Sequence, residues 1–226
     1  AFDALLKSYP RSVHHLQAMF ERGQSLLEMK NTQVAVAAFE AVLADGADSR
    51  FAPYALNHLA TIAISAGRPD EAADRLEKLL AAKPPKEVEE AALLNLGSTR
   101  IAQQEFDSAE KAFKRFLSKH EDSPRAGEAL TGLAISISRQ DRCDEALGIF
   151  DRLDESARAK IDPALRRSAA YERAWCLKST DKQDEASMLL RTLIDDAQAG
   201  DLADRAALEL ADIHFAAKKF QDAASL

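Results

Sequence analysis

The sequence predicts an all-α protein, an α-solenoid of about six helix-turn-helix units that is cut in mid-unit at both ends. Three observations predict it. The 226 residues include 44 Ala but only 8 Gly, 7 Pro and 6% aromatics, a mix rich in helix formers. Two short motifs recur along the whole chain at a spacing of 37 residues, lengthened once to 40. All seven prolines fall between the expected helices or in a first turn, where a missing N–H costs nothing.

Taken in chain order, the first element is a half-unit. "AFDALLKSYPRS" at the start shares its columns with "AFKRFLSKHEDS" at 112–123, three periods later, so residues 1–15 read as the second helix of a unit. Units then follow at 16–52, 53–89, 90–126, 127–166, 167–203 and 204–226, together forming a single repeat array over 1–226. The first helix of each carries "RGQSLL", "LATIAI", "LGSTRI", "LAISIS", "RAWCLK" or "LADIHF", whose second residue is always small: Gly23, Ala60, Gly97, Ala134, Ala174, Ala211. Bulky residues three positions apart, such as Leu93 with Leu96 and Leu130 with Leu133, put an apolar stripe beside it. The motif of each second helix begins with Ala (Ala35, Ala72, Ala109, Ala146, Ala186, Ala223), followed at i+4 and i+7 by residues such as Phe113 and Phe116. Two small columns let helix backbones approach closely while the bulky columns pack around them. Asp70, Asp107, Asp144 and Asp184 share a column at the start of the second helices, where a carboxylate is expected to accept from free backbone N–H groups. The three extra residues fall within "LDESARAKIDPALRRS", which predicts an irregular joint there.

These motifs resemble the tetratricopeptide repeat family over the whole chain, and the resemblance implies that the α-solenoid is right-handed. "LG" at 96–97, "LA" at 59–60, 133–134 and 210–211, and the Asp-Glu-Ala runs of "PDEAADRL" and "CDEALGIF" carry the resemblance. The array is divergent: units are 37 residues long, and Met19, Leu56, Leu93 and Leu130 stand where the family has Trp. Val42, Leu79, Phe116, Leu153 and Leu193 replace its late Ala, and the repeat-ending Pro survives as Pro10 and Pro84. The resemblance is to bacterial envelope and scaffold members, with a lean toward a periplasmic or envelope location.

Composition excludes several function classes. A net charge of −7 opposes nucleic-acid binding, and no apolar run nears the ~18 residues of a membrane span. Cys143 and Cys176 show neither a disulfide framework nor a zinc spacing and read as inert thiols suited to a reducing compartment. His14 and His15 are adjacent and point apart on a helix, so they read as surface residues rather than metal ligands. No nucleophile–base pairing and no phosphate loop is present, so no catalytic residue, metal or cofactor is expected.

What remains is surface. In the family the first helices line a groove, and the resemblance places Phe20, Asn57, Thr61, Ser98, Thr131, Tyr171, Trp175 and Asp212 on it. Arg139, Lys178 and Arg205 join Tyr171 and Trp175, the only Trp, in a charged and aromatic half that has the composition of a binding hot spot. Trp175 is equally readable as a packing residue. The expected partner is a protein or peptide. A structural spacer, or the regulatory array of an enzyme whose catalytic domain lies elsewhere, are the alternatives. The cut ends predict end-to-end self-association through exposed apolar residues.

Overall fold

The computed structural model describes residues 2–153 and 160–226, and the described residues form thirteen α-helices and no strand. They divide into two compact units, 1–104 and 105–226.

The first unit contains α1 (Phe2–Ser8), α2 (His15–Glu28), α3 (Thr32–Asp45), α4 (Ala52–Ser65), α5 (Pro69–Ala81) and α6 (Lys86–Ala102). Consecutive helices pack as antiparallel pairs because only three residues join α2 to α3 and α4 to α5. Its core begins with Phe39, fully buried between Val42, Ala35 and Leu59. Gly23 is obligatory there: a Cβ would lie 2.7 Å from the Phe39 ring. His58 stacks flat on Phe39, with ring centroids 4.8 Å apart, and Phe20 stacks on Phe51. Burial holds the His58 imidazole below the ordinary histidine range.

The second unit contains α7 (Phe106–Lys119), α8 (Ala126–Ser138), α9 (Cys143–Asp151), α10 (Pro163–Ser179), α11 (Gln183–Ile194), α12 (Asp201–Ala216) and α13 (Phe220–Ala224). Phe113 occupies the column of Phe39, and Gly132, in the column of His58, faces it so closely that a Cβ would lie 2.3 Å from the ring. Through both units the aligned alanines Ala35, Ala72, Ala109, Ala146 and Ala186 are 0% exposed, while Ala211 and Ala223 of the last pair are half-buried.

A further repeat is written in the backbone alone. Lys30, Gly67, Gln104, Asp141, Asp181 and Lys218 all take positive φ, between 59° and 66°, and all occupy the same column in the turn between first and second helices. At Asn31, Arg68, Arg142, Lys182 and Lys219 the next N–H reaches back to the carbonyl five residues earlier, which closes each first helix in a Schellman turn.

One expectation needs correction. The aspartates at 70, 107, 144 and 184 sit at the second position of their helices, in the favourable end of the dipole, but none of these helices carries a side-chain cap bond. Asp70 instead accepts from Gln103 and Asp107 from Lys111, because a residue already inside the helix points its carboxylate away from the free N–H groups. Among the described residues, Asp162 does cap its helix, α10, by accepting from the N–H groups of Ala164 and Leu165. The irregular joint lies partly outside the described residues, which stop at Leu153 and resume at Lys160.

Candidate partner-binding site

The first helices α8, α10 and α12 of the second unit lie side by side and bring the aromatic and charged half together. Ser138 and Arg139 at the end of α8, Asp141 in the following turn, Tyr171, Glu172 and Trp175 on α10 and Arg205 on α12 line one pocket of about 230 Å³. Trp175 is half-buried, so one part of its indole is packed and another reaches the pocket. The Arg205 guanidinium sits 4.2 Å from the centre of the Tyr171 ring, a cation–π contact that orders both.

The pocket floor is a buried carboxylate. Glu172 is 4% exposed. Ser138 Oγ donates to its Oε2 at 3.0 Å, and Arg139 Nη2 lies 2.6 Å from Oε1. Burial pushes the Glu172 carboxyl above its ordinary range, and the Arg139 charge and the two hydrogen bonds only partly oppose that. On the rim, Lys178 donates to Glu209 at 2.6 Å and to Asp212 at 3.3 Å, and Tyr171 Oη bonds Glu209 at 3.3 Å. Burial would lower the Lys178 ammonium, but these carboxylates outweigh it and hold its pKa above the ordinary value.

Not every residue carried over from the sequence reaches the surface. Phe20 is 8% exposed inside its aromatic cluster, and Thr131 is 1% exposed, its hydroxyl donated to the Gly127 carbonyl. Both precede the buried small residue of their helix by three positions, and Tyr171, in the same column, is likewise buried at 7% exposed although its ring edges the pocket, so this column lies mainly toward the packed face. Thr61 and Ser98, one position beyond the small residue, are exposed, and Asn57 is half-buried. Thr61 lines a separate, more apolar groove with Leu27, Val36, Ile62 and Ser65 in the first unit.

The cysteines are also corrected. Cys143 and Cys176 are joined in a disulfide, with Cα atoms 4.9 Å apart. Their sequence separation of 33 places one at the start of a second helix and the other within the next first helix, a pairing that no local spacing announces. Cys176 Sγ lies 3.4 Å from Ser138 Oγ, so the cross-link abuts the pocket floor.

Among the described residues no group of three or more His, Cys, Asp or Glu is arranged to hold a metal ion, and no helix is long and apolar enough to cross a membrane. Family models described as tetratricopeptide repeat match residues 1–49 and 20–87, and a second such model matches 63–133, so that more than half of the chain is covered. The chain belongs to the tetratricopeptide repeat family. Members of this family typically are non-catalytic scaffolds that mediate protein–protein interaction. Among solved structures, the chain is similar to YrrB, a tetratricopeptide protein with an unusual peptide-binding site, at TM-score 0.67 and 19% identity over 91% of this chain and 98% of that one. It is similar to a tetratricopeptide protein from Parabacteroides merdae at TM-score 0.62 and 17% identity, covering 99% of this chain and 80% of the other. Pseudomonas aeruginosa pilF matches at TM-score 0.57 and 18% identity, over 92% and 95% of the two chains. In sequence, 107 residues are 30% identical to cellulose synthase operon protein C of Pseudomonas fluorescens, covering 46% of this chain and only 8% of that much longer protein.

Proposed function

We propose that the chain is an interaction scaffold that holds an extended segment or a helix of a partner protein against the first helices of its repeats. The pocket around Trp175 in the second unit contributes most of the affinity in this reading. The carrying observation is Trp175 itself. It is the only Trp, it is half-buried, and it edges a pocket that pairs aromatic rings with Arg139 and Arg205. Such anchors, partly desolvated before the partner arrives, dominate protein interfaces. Asp212 and Lys178 on the rim and Leu208, 70% exposed on α12, extend the same face. The peptide-binding site of YrrB lends support by analogy.

The test is recovery of partners from the source cell by the wild-type chain and by Trp175→Ala, followed by affinity measurement on whichever protein is recovered. Loss of a hot-spot Trp lowers affinity about thirtyfold. An unchanged affinity removes the pocket from the interface.

A second reading, a structural segment within a longer chain, is favoured by the likeness to a small portion of the cellulose synthase operon protein. It predicts that Trp175→Ala changes no interaction and that deleting two whole repeats disturbs only the spacing of what flanks them.

A further inference from the structure

The cross-link and the pocket share one piece of chain. Cys143 is the first residue of α9 and Cys176 lies within α10, so the bond ties one helix pair to the next. Cys176 is fully buried, and Cys143 nearly so. Cys176 follows Trp175 directly and lies four residues beyond Glu172, so the sulfur and both pocket side chains belong to little more than one helical turn. Its sulfur touches Ser138, which is itself fully buried and supplies a hydrogen bond to the buried Glu172 carboxylate. Ser138 therefore stands between the sulfur and the pocket floor.

We propose that the Cys143–Cys176 bond is a redox latch for the pocket: the oxidised chain holds the Ser138–Glu172–Arg139 floor in place, and the reduced chain loosens it. The chemistry is a two-electron exchange. Closing the latch removes two protons and two electrons from the thiols and hands them to a protein disulfide or a low-molecular-weight disulfide, which becomes two thiols. Opening it passes two electrons and two protons back from a dithiol, which closes to its own disulfide. Two separate sulfurs need more room than a bonded pair, and a close-packed interior makes that room only by moving α10 against α8 and α9. A shift on the order of 0.5 Å is enough to carry the Ser138–Glu172 bond beyond good hydrogen-bond geometry. Because both sulfurs are buried, the state of the latch follows the compartment in which the chain folds rather than brief fluctuations. The closed form belongs where disulfides are formed and kept.

The experiment needs no partner, so its failure is distinguishable from a failure of the scaffold reading. Protein purified without reductant is denatured and exposed to a thiol-alkylating reagent, before and after dithiothreitol. Native hydrogen exchange is then compared for the oxidised chain, the reduced chain and the Cys143→Ser/Cys176→Ser double variant. The expected result is that neither cysteine alkylates before reduction and both do after it. Amides of residues 136–142 and 171–178 should exchange at least about tenfold faster in the reduced chain and in the double variant, and the first unit should stay unchanged. The melting temperature should fall by about 5–10 °C on reduction, and reductant should have no effect on the double variant. Alkylation of both cysteines in the unreduced protein overturns the latch. So does a reduced chain with two free thiols whose exchange at 136–142 and 171–178 matches the oxidised chain, even if its melting temperature has dropped. Should the double variant not fold, the oxidised and reduced wild-type chains alone decide.

Discussion

The two units are built on one template and differ in what they bury. In the first unit, Thr99 is the only buried polar residue among those described, and an aromatic cluster of Phe20, Phe39, Phe51 and His58 adjoins buried leucines such as Leu59, Leu76 and Leu93. The second buries Glu110, His120, Ser123, Thr131, Ser136, Ser138, Glu172 and His214, and holds the disulfide as well. Repetition therefore sets the backbone and the small and large columns, and leaves the polar content of each interface free to specialise. A buried polar group is costly unless it is fully partnered, and such groups usually mark a specific arrangement rather than added stability. That the candidate pocket lies in the polar unit is consistent with this division.

Two carboxylates inside the second unit make the point. Burial raises both, but Lys114, Gln140 and Arg142 all donate to Glu110, at 2.6, 2.8 and 2.7 Å, and together they outweigh burial and hold its pKa down to about 2. Glu172 has fewer donors and stays above its ordinary value. Glu110 is a fastener between helix pairs, whereas Glu172 retains the uncompensated character of a pocket floor.

The largest expected effect tests the aromatic side of the contrast. Phe39→Ala should destabilise the chain by about 3–5 kcal/mol in chemical denaturation, since it removes the ring on which Gly23, Val42 and His58 converge. A cost below 1 kcal/mol would mean that the first unit does not rest on that cluster.

Acid should separate the two units next. Glu110 is lowered on folding, so its contribution is whole above its ordinary value of 4.5 and is lost as the pH falls toward 2. Glu110→Gln should cost about 2–3 kcal/mol at pH 7 and should abolish that acid sensitivity. His58 is also lowered, so the first unit should begin to weaken below about pH 6.5, earlier than the second. Hydrogen exchange followed from pH 7 to pH 3 distinguishes the units, and simultaneous loss would erase the distinction.

Smaller effects test what the units share. Ala72→Leu and Ala146→Leu, in the same column of different units, should each overpack a closed contact and cost about 1–3 kcal/mol. Unequal costs would show that the column is not equivalent in the two. Least of all, Gly67→Ala should cost about 1 kcal/mol: a Cβ there meets nothing within 4 Å, so the cost comes only from its φ of 66°.

The helix pairs were legible in the sequence because close approach demands small residues at fixed places, and Ala72, Ala109 and Ala146 are selected by space alone. The left-handed turn column was not, because Lys30, Gly67, Gln104, Asp141, Asp181 and Lys218 share a conformation but no side-chain chemistry. Gly67 is the one residue of the column that favours this conformation by itself. Trp175, Tyr171, Arg139 and Arg205 could be grouped from the repeat register, since register is enough to place residues on one face. Depth was harder: Phe20 and Thr131 lie on the packed side of that register, and Ser138 and Glu172 meet only when α8 and α10 are set side by side. The disulfide escaped for the same reason, since Cys143 and Cys176 belong to different columns.

The cross-link also changes how the chain would carry load. A repeat array pulled along its length gives way one helix pair at a time, each released pair lengthening the chain. The stretch from Cys143 to Cys176, a sequence separation of 33, cannot be released in this way, which withholds about 110 Å of contour. Tension arriving at Cys143 passes through sulfur to Cys176, and the intervening stretch, which runs through α9 and into α10, is spared it.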